Sequence, residues 1–137
     1  VVAVERPFEF ALDGMRIRGR VDRLDEDEGG TVIVDYKTSD VRDQRKANDK
    51  ARGSLQLHAY ALAHEQKTGK RPRAMQLHFL ESSLIGESTP DPARLDKARE
   101  QLRAAMAGIA AGEFAPQPNP VACGFCPFRQ ICVASAA

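Results

Sequence analysis

No run of about 18 apolar residues occurs in the chain and no charged-then-apolar leader opens it, so nothing points to membrane insertion or secretion. A cytoplasmic protein is the expectation. Neither charge is in excess: 20 Lys and Arg stand against 19 Asp and Glu, a net of +1. That balance excludes a generally basic nucleic-acid-binding surface, so a nucleic-acid partner would be held by a local patch or by a metal. No internal repeat or low-complexity tract is present, which leaves no sign of a repeat array. Cysteine is scarce, and all three residues fall in the last fifteen positions. Thiols so confined do not make the disulfide framework of a small secreted domain.

What is present suffices for a globular unit, since 137 residues with 42% hydrophobic content can bury a core. Residues 2 to 12 alternate loosely and read as a strand, with Pro7 marking an edge or a bulge. Asp13-Gly14 is a hairpin signal, and strands at about 15–24 and 31–38 flank an acidic Gly-Gly turn, completing a meander. A polar stretch at 39–53 follows. Ser54 can cap a helix whose apolar positions Leu55, Ala59, Leu62 and Ala63 keep helical spacing until Gly69. Residues 74–81 read as a fourth strand. Pro90-Asp91-Pro92 opens a second helix, with Leu95, Ala98, Leu102, Met106 and Ile109 as its buried stripe and Gly112 as its end. A Pro-rich link then delivers the cysteines, so we expect a core at 1–115 and a cysteine tail at 116–137.

Side chains two apart on a strand share a face, so Asp35 and Lys37 project together with Ile33, while Val32, Val34 and Tyr36 face the other way. The hairpin register that sets Asp22 opposite Asp35 also sets Leu24 against Ile33. Two carboxylates directly across a strand pair repel, and the arrangement costs stability unless a cation lies between them. A hard divalent ion supplies that charge. Mg²⁺ needs only one or two carboxylates if waters and a phosphate complete its shell, and Asp22, Asp35 and the backbone carbonyl of Tyr36 would suit it. Such an ion acidifies a water and offsets charge on a phosphate, while Lys37 can orient the attacking water or help neutralise the transition state. The plain alternative is a surface ion pair, which an Asp-x-Lys tripeptide usually is. On the helix, Gln56 and Tyr60 lie four apart on one face and can reach one groove, though an ordinary amphipathic helix would look the same. Arg16, Arg18 and Arg20 fall on the Asp22 face by strand parity, where they would meet phosphates or simply solvate an edge.

Gly19-Arg20-Val21-Asp22-Arg23, Val34-Asp35-Tyr36-Lys37-Thr38 and Gln56-Leu57-His58-Ala59-Tyr60, in that order, resemble three motifs of the PD-(D/E)XK nuclease superfamily. Within it they are similar to the RecB-type branch, which includes the nuclease domains of AddB-like helicase-nucleases and CRISPR-associated exonucleases. The resemblance implies an α/β restriction-endonuclease-like core, a mixed sheet flanked by helices. It implies Asp22 and Asp35 as holders of Mg²⁺ or Mn²⁺, Lys37 as catalytic, and Gln56 and Tyr60 as supports of the site or contacts to DNA. The activity implied is a DNA nuclease, leaning to exonucleolytic processing of ends in repair or recombination. A helicase, in the same polypeptide or a separate one, is implied as a further partner.

Cys123, Cys126 and Cys132 have a chelating spacing that suits zinc or iron-sulfur alike. The resemblance implies a [4Fe-4S] cluster acting as a structural staple, with a fourth cysteine lying before the core. That cysteine is not in this sequence, nor is the preceding helix that carries a histidine in this branch. His58, His64 and His78 do not match its position and read as surface or packing residues, and Glu5 has no assignable role. The expectation is that the chain is the C-terminal piece of a longer protein. Two rivals stand beside the nuclease: a non-catalytic DNA-binding module of the same fold, and a zinc-binding interaction domain built on the cysteine tail.

Overall fold

In the computed structural model, which describes residues 1–136, five strands form one mixed sheet in the order β1-β2-β3-β4-β5. The strands are β1 (Ala3–Leu12), β2 (Met15–Asp27), β3 (Gly30–Lys37), β4 (Ala74–Phe79) and β5 (Leu84–Ser88), with helices α1 (Gln44–Gly53), α2 (Leu55–Thr68), α3 (Pro92–Ala111) and α4 (Pro120–Gly124). All neighbours run antiparallel except β3 and β4, which are parallel and joined through α1 and α2. The α/β class and the helix-flanked mixed sheet are as expected from the sequence. Two compact units divide the chain, Val1–Ala104 and Ala105–Ala137.

The first hairpin closes between Leu12 and Met15. Its two turn residues, Asp13 and Gly14, have φ of 51° and 78°. Positive φ at both positions matches the right-handed twist of the strands, and Asp-Gly is the pair that tolerates it. The acidic turn is equally tight, with Asp27 paired to Gly30 and the Asp27 carboxylate accepting the Gly29 N–H at 2.8 Å. Leu24 pairs with Ile33, the register read from the sequence.

Three elements carry no clear mark in the sequence. α1 starts where Asp43 accepts the Lys46 N–H at 2.7 Å, yet its ten residues offer only Ala47 and Ala51 to the interior, so no apolar stripe announces it. β5 is short and polar at its end. α4 is a single turn opened by Asn119, which accepts the N–H groups of Val121 and Ala122.

Ser54 closes α1 and opens α2. Its N–H donates to Ala51 O at 3.3 Å while its side chain accepts from Leu57 N at 3.2 Å. In α2 every residue from Leu57 to Ala63 is buried, so this helix is enclosed all round rather than along one stripe. Fully buried side chains such as Leu57, Ile33 and Phe79 each stabilise by about 1.5–3 kcal/mol. Gln66 ties the far end of α2 to β1, its amide donating to Ala11 O and accepting from Ala11 N, both at 2.9 Å. Gly69, at φ 72°, ends the helix.

α3 departs from its expected stripe. Asp91 caps it and Leu95 and Ala98 are buried, but Leu102 and Met106 are only half-buried and Ile109 is exposed. Within the second unit, Phe114, Val121, Phe125, Phe128, Ile131 and Val133 are exposed as well.

Candidate active site

The β2–β3 ladder runs from Asp27↔Gly30 to Arg23↔Val34 and stops, one pair short of Asp22 and Asp35. β3 stays paired with β4 as far as Lys37↔Phe79. The sheet therefore forks at Asp22. On the other side of β2, the ladder with β1 steps from Val4↔Arg23 to Arg6↔Val21 and passes over Glu5, whose φ is 48°. Asp22 thus lies where both ladders are interrupted. Val21 and Leu24, three apart, are both buried and both line a cavity with Tyr60, so the alternation of faces breaks between them.

In place of a ladder bond, Asp22 Oδ2 accepts the Tyr36 N–H at 2.9 Å. Asp35 is 2% exposed, at the end of the buried run Val32-Ile33-Val34. Lys37 Nζ lies 2.7 Å from Asp35 Oδ2, and apart from this ion pair that buried oxygen has no well-aligned partner. Burial pushes the Asp35 carboxyl above the usual range; Lys37 opposes this, and the Asp22 charge adds to it. Lys37 Nζ also donates to Gln56 Oε1 at 2.7 Å, and Gln56 Nε2 donates to the Tyr60 hydroxyl at 2.7 Å. The Tyr60 phenol is pushed up by its burial, pulled down by Gln56, and raised further by the charges of Asp35 and Asp22. The five side chains predicted to form the site are thus joined in a chain of pairwise hydrogen bonds and charge interactions. Two carboxylates, an ammonium and a supporting amide–phenol pair are donor and charge types that could hold a hard cation and act on a phosphate ester.

Arg16, Arg18 and Arg20 do not join this group. Arg16 and Arg18 pair with Glu9 at 3.4 and 2.8 Å, and Arg20 pairs with Glu5 at 3.1 Å, all exposed. These exposed pairs are the solvated strand edge that the sequence offered as one of two readings. Glu5 gains a partner in Arg20. His58 is a packing residue, buried, with Nδ1 2.6 Å from Ser54 O. His64 is half-buried on the cavity of about 1040 Å³ between α2 and the β1–β3 sheet. Only Tyr60 of the five site residues reaches that cavity.

His78 belongs to a cluster that sequence reasoning leaves unassigned. On β2, Arg23 grips both oxygens of Asp25, at 2.9 and 2.5 Å, and donates to the Tyr36 hydroxyl at 2.9 Å. The Tyr36 ring meets the His78 ring edge-on at 5.7 Å. The available signal was parity: Arg23, Asp25, Val34, Tyr36 and His78 occupy paired positions on adjacent strands.

Cys123 and Cys126 are half-buried and Cys132 is exposed. Among the described residues no set of three or more His, Cys, Asp or Glu side chains is gathered to hold a metal, so these thiols are not assembled as ligands. No helix among the described residues is long and apolar enough to cross a membrane.

Known proteins resemble this chain to different extents. A family profile for the PD-(D/E)XK nuclease superfamily matches residues 1–133. The Gene 69 protein of Mycobacterium phage L5 is 31% identical over 137 residues, covering 95% of this chain and 44% of that protein. Its counterpart in phage D29 is 29% identical over 136 residues, covering 95% and 47%. An ATP-dependent helicase/nuclease polypeptide of Thermoanaerobacter sp. (strain X514) is 31% identical over 73 residues, 53% of this chain and 6% of that one. The chain thus spans less than half the length of these relatives. The crystal structure of SSO0001 shares the fold, with a TM-score of 0.55 at 17% identity, over 98% of this chain and 61% of that one.

Proposed function

The chain belongs to the PD-(D/E)XK nuclease superfamily, and on that premise we propose that it is a Mg²⁺- or Mn²⁺-dependent deoxyribonuclease, an exonuclease hydrolysing phosphodiester bonds at DNA ends in repair or recombination. The observation that carries the reading is the Asp35 carboxylate, buried beside Lys37, with one oxygen lacking a well-aligned hydrogen bond, and lying within the field of Asp22. A buried acid so placed is costly unless something else shares its charge.

The donors fit a hard divalent cation, which one or two carboxylates with waters and substrate phosphate can hold. Asp22, Asp35 and the Tyr36 carbonyl are the proposed ligands. When bound, such an ion supplies acidification of a water and neutralisation of charge on the phosphate. Lys37, shared between Asp35 and Gln56, is the proposed catalytic group. Its ammonium can turn from Asp35 toward the scissile phosphate or the attacking water. Gln56 and Tyr60 hold it in reach, since the amide accepts from Lys37 and donates to Tyr60. Assignment to the RecB-type branch rests on these motifs and on the partial similarity to an ATP-dependent helicase/nuclease, which also supports a helicase as partner. A cytoplasmic setting, where ATP and DNA meet, belongs to the same proposal.

The deciding test is Lys37→Ala. Cleavage of end-labelled DNA in Mg²⁺ should fall at least 100-fold, about the scale of a positioned acid–base or electrostatic group, with DNA affinity in EDTA kept. Unchanged cleavage by Lys37→Ala would exclude the assignment. A parent protein that binds DNA without cutting it in Mg²⁺ or Mn²⁺ would favour the DNA-binding module.

For the cysteine tail, the spacing suits zinc or iron-sulfur alike, and only the resemblance to the RecB-type branch favours a [4Fe-4S] cluster. The three thiols as placed do not fit one. Iron with broad visible absorption in anaerobically purified protein would support the cluster, and zinc without it the interaction domain.

A further inference from the structure

Past Arg23↔Val34 the β2 and β3 backbones are no longer laddered, and two side-chain bonds from consecutive β2 residues span the fork. Both end on Tyr36. Asp22 takes its N–H at 2.9 Å, and Arg23 donates to its hydroxyl at 2.9 Å. Arg23 is itself fixed by the two-pronged grip on Asp25, and the Tyr36 ring is braced by His78, whose Nε2 lies 2.9 Å from Gln76 Oε1. Tyr36 stands between Asp35 and Lys37 in the chain, so whatever fixes its backbone fixes the placement of both neighbours and the direction of its own carbonyl.

We propose that Arg23 and the Tyr36 hydroxyl form a latch that sets the width of the β2–β3 fork, making them positioning residues for the divalent-cation site. This rests on the nuclease reading above. Groups that orient metal ligands from behind typically change metal affinity about 10–100-fold when removed. Neither the Arg23 guanidinium nor the Tyr36 hydroxyl is among the proposed ligands, so the latch acts through Asp22, Asp35 and the Tyr36 carbonyl.

The test is Mn²⁺ binding to the protein without DNA, followed by the electron paramagnetic resonance signal of free Mn²⁺, for the parent, Tyr36→Phe, Arg23→Lys and Asp35→Asn. Tyr36→Phe deletes one oxygen from an exposed ring and should fold. Arg23→Lys keeps the charge but not the planar fork of donors, and provides a second reading. Both should raise the Mn²⁺ dissociation constant about tenfold or more, with turnover recovering toward the parent value at saturating Mn²⁺. Parent-like Mn²⁺ affinity in both folded variants, with Asp35→Asn binding lost, overturns the latch and leaves the nuclease reading standing. Parent protein that binds no Mn²⁺, or binds it no better than Asp35→Asn does, removes the cation site and the latch with it.

Discussion

At the scale of single residues, Asp35 is held at a cost. Its carboxyl is raised above the ordinary value of 3.8, chiefly by burial. The unfolded chain therefore releases this proton at lower pH than the folded one does. Between 3.8 and the raised value the folded state binds more protons, so stability from this group falls as pH rises through that window and stays lowered above it. Asp35→Asn should consequently raise the melting temperature of the metal-free protein at neutral pH by roughly 2–4 °C, what about 1 kcal/mol yields in a domain of this size. A lower melting temperature for Asp35→Asn in EDTA would contradict this. The same shift makes protons competitors of a cation, and binding of Mn²⁺ should weaken as pH falls toward the acid range.

Among the elements, β5 and α1 depend on a missing side chain. A Cβ at Gly86 would come within 2.1 Å of the Ala47 carbonyl oxygen, which belongs to the helix backbone and cannot swing aside. Gly86→Ala should therefore destabilise by about 3 kcal/mol or more, at the upper end of overpacking effects, seen as a lower urea midpoint. Little of this contact was legible. The sequence of α1 has the buried alanines Ala47 and Ala51 where a stripe of larger apolar residues would have revealed it. By contrast, the meander was readable, since Asp13-Gly14 and the Glu28-Gly29 turn carry their own backbone chemistry. That Asp35 differs from an ordinary surface charge was legible, because charge at the end of a Val-Ile-Val run conflicts with burial. The partners of Arg16, Arg18 and Arg20 were not legible, since pairing to Glu9 and Glu5 on the neighbouring strand depends on the β1–β2 register.

For the molecule as a whole, a net charge of +1 combines with a pairing of the β2 arginines to Glu5 and Glu9 that leaves little free positive charge on that strand. The triple variant Arg16→Ala, Arg18→Ala, Arg20→Ala should leave DNA affinity within about threefold, and the slope of log K against log salt changed by less than the roughly 2.7 that three phosphate contacts would remove. A loss of that full slope would return these residues to the DNA surface. Ser54 has a wider consequence for how this fold can vary. Because one residue ends the first helix and begins the second, there is no slack between them. With no loop to absorb it, a single inserted amino acid there would displace the start of the second helix, carrying Gln56 and Tyr60 off the lysine they support. Length changes between homologous chains should therefore collect in the stretches on either side of this helical pair and spare the joint itself.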